Sequence, residues 1–165
     1  MPIPANEQIG TLFGAAVQKV GVLPTTAGTD NLFTVAGGNV QLVSILGELT
    51  SDDVTSSAAS IDIKLTLDPT AAGYAATDMC DTLDIKAHTI GELYTVTGAV
   101  GVAMVGVATG LAVPSFGTNP QVLLPGVIIL NMAEGVGGAN DTTGEVTWTI
   151  VYYPLDLGAY IEAAA

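Results

Sequence analysis

Residues Gly98–Pro114 read GAVGVAMVGVATGLAVP, and no charged residue occurs anywhere between Glu92 and Glu134. A helix that crosses a bilayer needs about 20 apolar residues, so length alone leaves a membrane span open. The order of side-chain sizes argues otherwise. Val100, Val102 and Met104 alternate with Ala99, Gly101 and Ala103, and Val105, Val107, Leu111 and Val113 alternate with Gly106, Ala108, Gly110 and Ala112. A period of two belongs to a strand, whose successive side chains point to opposite faces. The phase steps by one residue at Met104–Val105, as a bulge or tight bend would require. No Lys or Arg flanks the segment to orient it in a membrane, and Gly and Val are poor helix formers. The stretch therefore predicts buried strands that lie against protein rather than lipid.

The alternation recurs along the chain. Ile61, Ile63, Leu65 and Leu67 alternate with Asp62, Lys64 and Thr66, closed by Asp68–Pro69. Val146, Trp148, Ile150 and Tyr152 alternate with Glu145, Thr147, Thr149 and Val151, ended by Pro154. Residues Asn31–Thr50 predict two strands hinged as a hairpin at Gly37–Gly38, and Val127–Met132 a short apolar strand. Glu134–Gly144 is a polar, glycine-rich loop containing Gly137–Gly138, a second hairpin turn. Ile9, Leu12, Phe13, Ala16, Val17 and Val20 fit a helical stripe, while VQKVGVLP alternates, so residues 1–25 read as an N-terminal arm or short helix. A helical turn is also open over Thr77–Leu83, with Thr77 or Asp78 as its cap. The remainder, 26–165, is one all-β domain, a β-sandwich of jelly-roll type.

Composition restricts function. The chain of 165 residues is 49% hydrophobic and 12% charged, with a mean hydropathy of +0.55. Its 16 acidic residues face 3 lysines and no arginine, a formal charge of -13. Such a surface repels phosphate, whether in nucleic acid or in anionic headgroups, so neither is an expected partner. MPIPANEQIG has neither the basic start nor the apolar core of a signal peptide. That predicts synthesis in a cytoplasm and assembly from there into something larger.

Candidate chemistry is sparse. His88 is the only histidine and Cys80 the only cysteine, too few for a zinc site. No nucleophile elbow accompanies His88, so it reads as a surface or strand-edge residue and the chain as a non-enzyme. Cys80 reads as a small buried hydrophobe. Asp78, Asp81 and Asp84 match no calcium loop and read as a solvated face, as does Asp52–Asp53. No metal or other cofactor is expected. Phe13, Val17, Val20, Trp148, Tyr152 and Tyr153 are candidate contact residues. Trp148, Tyr152 and Tyr153 also raise a glycan-stacking surface, against which stands core packing for Trp148.

Two stretches carry a resemblance: LFTVAGGNVQLVSILGELT, residues 32–50, and TGEVTWTIVYYPLDLGAYIEAA, residues 143–164. ATDMCDTLDI, residues 76–85, and GELYTVTG, residues 91–98, fit the same pattern. Together they resemble small virion proteins of tailed bacteriophages, in particular the capsid decoration, or cement, proteins. The resemblance covers most of residues 31–164 and little of the N-terminal arm. It implies a β-rich protein, often a homo-trimer, on the outer surface of a virion head, bridging copies of the major capsid protein. It implies no active site. The alternative of another class is a tail or fibre domain that recognises a host glycan.

Overall fold

The computed structural model describes residues 14–23, 28–51, 60–107, 121–134 and 144–165. Every regular element among them is a strand. In chain order these are β1 (Ala15–Val22), β2 (Gly28–Ala36), β3 (Val40–Ser51), β4 (Ile61–Pro69), β5 (Thr77–Asp78) and β6 (Leu83–Asp84). There follow β7 (Leu93–Thr95), β8 (Val105–Val107), β9 (Val122–Leu123), β10 (Gly126–Glu134), β11 (Glu145–Pro154) and β12 (Tyr160–Ala163).

The strands form two antiparallel sheets. One runs β1-β11-β3-β7-β8, with β9 also on β3; the other runs β12-β2-β10-β4-β5, with β6 also on β4. Their inner faces meet in a single core. Leu32, Phe33, Ile63, Leu65, Ile128 and Leu130 come from the second sheet, and Ile45, Tyr94, Trp148 and Ile150 from the first. The molecule is an all-β sandwich, as the alternations in β4 and β11 predict. In β11, Val146, Trp148, Ile150 and Tyr152 are buried while their neighbours are partly or fully exposed.

The pairing order is nested. Front strands pair with back strands in sequence, β1 with β11, β2 with β10, β3 with β7 and β4 with β5. Two further ladders, β11 with β3 and β10 with β4, join these pairs within each sheet. Bulges adjust the phase of the long strands. The register between β3 and β11 shifts twice, passing over Thr50 and Val43, and that between β10 and β2 passes over Leu32. The shift between β10 and β2 leaves both Leu32 and Phe33 buried.

Four sequence expectations change. Over Ala15–Val22 the N-terminal segment is not a helix but extended, as the alternation in VQKVGVLP allows, and it belongs to the sandwich as an edge strand paired along its whole length with β11. The remaining residues 1–13 and 24–25 of that segment lie outside the described residues. Thr77–Leu83 makes no helical turn, because Met79 and Ile85 donate their backbone N–H groups to Leu65 and Ile61 of β4. Gly37–Gly38 is not a hairpin, since β2 and β3 belong to opposite sheets and the glycines carry the chain across the core. Gly37 has φ 74°, and a Cβ there would overlap the Gly158 carbonyl oxygen. Gly137–Gly138 lies outside the described residues.

The fourth change concerns the opening stretch. Among its described residues Val105–Val107 is strand and Gly98–Met104 turns, with Val100 64% and Val102 47% exposed. Val102 donates to the Ala99 carbonyl and accepts from the Asp81 N–H, and these bonds close the turn. Residues 108–114 lie outside the described residues. Among the described residues, no helix is long and apolar enough to cross a membrane.

Candidate functional site

The predicted contact residues do not form one surface. On β1 the side chains of Val17 and Lys19 share the inward face of their β11 partners Ile150 and Trp148, whereas Val20 points out opposite Thr147. Val17 packs against the core and Val20 is 48% exposed. Trp148 is fully buried and Tyr152 nearly so, which removes both from any glycan platform. The indole fills a slot left by two glycines. A Cβ on Gly21 would lie 3.1 Å from its Cδ1 and one on Gly47 2.8 Å from its Cζ3. Tyr153 remains half-buried on the outer face of β11, and Phe13 lies outside the described residues.

His88 sits beside sheet one. Its Nδ1 lies 2.9 Å from Glu92 Oε2 and 3.2 Å from Tyr94 Oη, and the His88 and Tyr94 rings stack with centroids 5.7 Å apart. Glu92 Oε1 accepts the Thr89 N–H, which fixes the carboxylate in the loop before β7. Burial, and secondarily the Glu92 charge, push the Tyr94 phenol well above its ordinary range, so it stays protonated. The group anchors the Ile85–Glu92 loop over Gly106 of β8, where a Cβ would approach His88 Cε1 to 3.0 Å.

The three spaced carboxylates are used separately. Asp78 accepts from Lys64 Nζ at 2.8 Å and from Thr66 Oγ1 at 3.0 Å, and the Lys64 bond holds its carboxyl below the usual value despite opposing desolvation. Asp84 Oδ1 caps the backbone N–H groups of Ile61 and Lys86, and Asp81 that of Thr82. Among the described residues no three His, Cys, Asp or Glu side chains gather as metal ligands. Cys80 is fully buried behind β4, as expected of a small hydrophobe, and burial raises its thiol to about 11.

What the sequence reading passed over is apolar surface in loops and at the starts of short strands. Tyr74, Val100, Val122, Leu155, Leu157 and Tyr160 all stand exposed, Leu157 completely. Val100 and Val122 border a cleft of about 220 Å³ whose floor is Leu67, Met79 and Leu123. Gln121 clamps one side, donating from Nε2 to the carbonyls of Met79 and Gly98. Leu157 rides on a built turn. Asp156 Oδ2 accepts the Asn39 N–H at 2.7 Å, Asn39 O accepts the Leu155 N–H, and Ala159 N donates to Asp156 O. The sequence signal was present in PLDLGAY, two leucines between a proline and a glycine where turn residues are ordinarily polar.

Comparisons with protein-family models, with curated proteins and with solved structures return no match to this chain.

Proposed function

We propose that this chain is a non-enzymatic structural protein of a tailed-phage virion. In this reading it decorates the outer surface of the head, bridges copies of the major capsid protein and acts as a homo-trimer. The observation that carries the reading is the nested strand pairing. Strand orders of β1-β11-β3-β7 in one sheet and β2-β10-β4-β5 in the other are those expected of one long hairpin rolled up, which supports a jelly-roll reading of the sandwich. That architecture recurs in viral shell and lectin domains. Fold alone does not assign function, and the motifs in residues 32–50 and 143–164 supply the link to decoration proteins. The mechanism is mass action: a protein that binds only the mature lattice stabilises it over open or disassembled states, and many copies multiply a modest contact energy. A charge of -13 suits an outer position, since it gives no competition for packaged DNA.

The lectin-like alternative is weakened by the burial of Trp148 and Tyr152, which leaves Tyr153 alone of the three aromatic residues on the outer face of β11. Quantifying the chain in purified particles and locating it by labelling tests the reading. High copy number on heads, with loss of head stability when it is stripped, is the expected result. Absence from mature particles, or a few copies confined to a tail tip, would refute it.

A further inference from the structure

Six of the exposed apolar side chains, Tyr74, Val100, Leu155 and Leu157 in loops and Val122 and Tyr160 at strand starts, share a location, whereas Val20, Val22 and Ile90 lie away from it. Register places the ends of β2, β4, β9 and β11 and the starts of β3, β10 and β12 at one pole of the sandwich. Gly126 pairs with both Val35 and Pro69, Val40 with both Pro154 and Leu123, and Tyr160 with Ala36. The Thr70 N–H, bonded to the Pro125 carbonyl, ties the loop that carries Tyr74 to the same pole. Tyr74, Val122, Leu155, Leu157 and Tyr160 thus belong to one tip, with Val100 and Val122 lining the same cleft. Scattered single hydrophobes on a surface need no explanation, but a concentrated set on a strongly charged chain does.

Charge says what fits the tip. Asp68 and Asp156 are exposed there, and none of the three lysines of the chain belongs to it. Lys19 is bonded to the carbonyls of Asn31 and Ala164, Lys64 to Asp78, and Lys86 follows β6 toward the opposite pole. Two copies meeting tip to tip would bring their carboxylates together with no cation to separate them. We infer that this pole docks end-on against a protein surface whose apolar patch is rimmed by Lys or Arg. Leu157 is its preformed anchor, held out by the Asp156–Asn39 turn, and preorganisation lowers the ordering cost of binding. The inference rests on the decoration reading, in which that surface belongs to the major capsid protein.

The test titrates the chain onto shells of major capsid protein assembled without it. Absence of saturable binding by the parent chain overturns the decoration reading and the inference with it. Given parental binding, Leu157→Asp and Val122→Asp, both surface changes expected to keep the parental thermal midpoint, each weaken binding by about tenfold or more. Val20→Asp, on the outer face of β1, leaves it unchanged, and added salt weakens parental binding as the rim charges are screened. Parental affinity in both tip variants, or equal loss in Val20→Asp, overturns the docking pole while leaving decoration standing. A tip variant that converts an oligomer of the free chain into monomers, measured by sedimentation, assigns the pole to a second copy and overturns the inference too.

Discussion

Gly47 lies directly opposite Trp148 in the ladder between β3 and β11, and the indole occupies the space its missing side chain leaves. The ring is rigid and fully buried, so it cannot swing aside for an added methyl. Gly47→Ala is expected to cost about 1–3 kcal/mol, the usual range for overpacking a core. Urea denaturation followed by far-ultraviolet circular dichroism, a probe that all members of a mutant series share, measures it. A double-mutant cycle with Trp148→Leu should recover much of the loss, because the two changes share one cavity. Simple additivity would show that the glycine is needed for its backbone instead.

Gly37 presents a different kind of constraint. Its positive φ and the Gly158 carbonyl both oppose a side chain. Gly37→Ala is expected to lose about 2–3 kcal/mol, through overpacking against backbone and a strained left-handed conformation. Gly73 also has positive φ but nothing within 4 Å of a built Cβ. Gly73→Ala therefore isolates the conformational part, at about 1 kcal/mol. Equal losses in the two variants would exclude the clash with Gly158.

The Lys64–Asp78 pair fixes a pH dependence. The lowered carboxyl of Asp78 means the folded state favours its charged form. Its contribution is therefore present above the ordinary value of 3.8 and lost as pH falls through the lower folded value. Both side chains are partly in water, 32% and 46% exposed, so solvent screening limits the effect to below about 1 kcal/mol. The stability difference between the parent and Asp78→Asn should be greatest above pH 5 and shrink toward pH 3. A difference that grows on acidification would contradict the pairing.

Cys80 should be inert in the native protein. With its thiol fully buried and shifted up to about 11, both access and thiolate fraction are low. Alkylation at pH 8 is expected to proceed at the rate of opening, and to become rapid in denaturant. Fast labelling of the folded chain would mean that the cover over β4 opens locally.

His88→Ala removes a ring stacked on Tyr94 and a partner of its buried hydroxyl. A loss of about 1–2 kcal/mol is expected from the stranded polar group, with the proposed binding to heads unaffected. Thermal melts and head binding of the same preparation separate the two effects.

The strands that could be read from sequence are those with one wet face. β4 and β11 alternate cleanly because Asp62, Lys64, Thr147 and Thr149 mark the outside. Gly98–Met104 misled because its alternation carries no polar residue to distinguish an outward valine from an inward one, and hydrogen bonds from Asp81 and to Ala99 decided the matter. Gly37–Gly38 announced a reversal but not which sheet the chain would enter next. A turn signal is local, whereas sheet membership depends on partners far along the chain. The aromatic cluster on β11 failed as a surface for the same reason that it was noticed. Large rings fill a core as readily as they coat a face, and the glycines that make room for Trp148 lie on other strands, β1 and β3.

The nested order has a consequence for biosynthesis. Gln18 of the first strand meets Thr149 of the penultimate one, 131 residues downstream. A ribosome must therefore release almost the entire polypeptide before the opening strand finds its neighbour. Maturation of this molecule is a late, slow event dominated by distant closures, and until then its unmatched edges are exposed to every other nascent copy in the infected cell envisaged above.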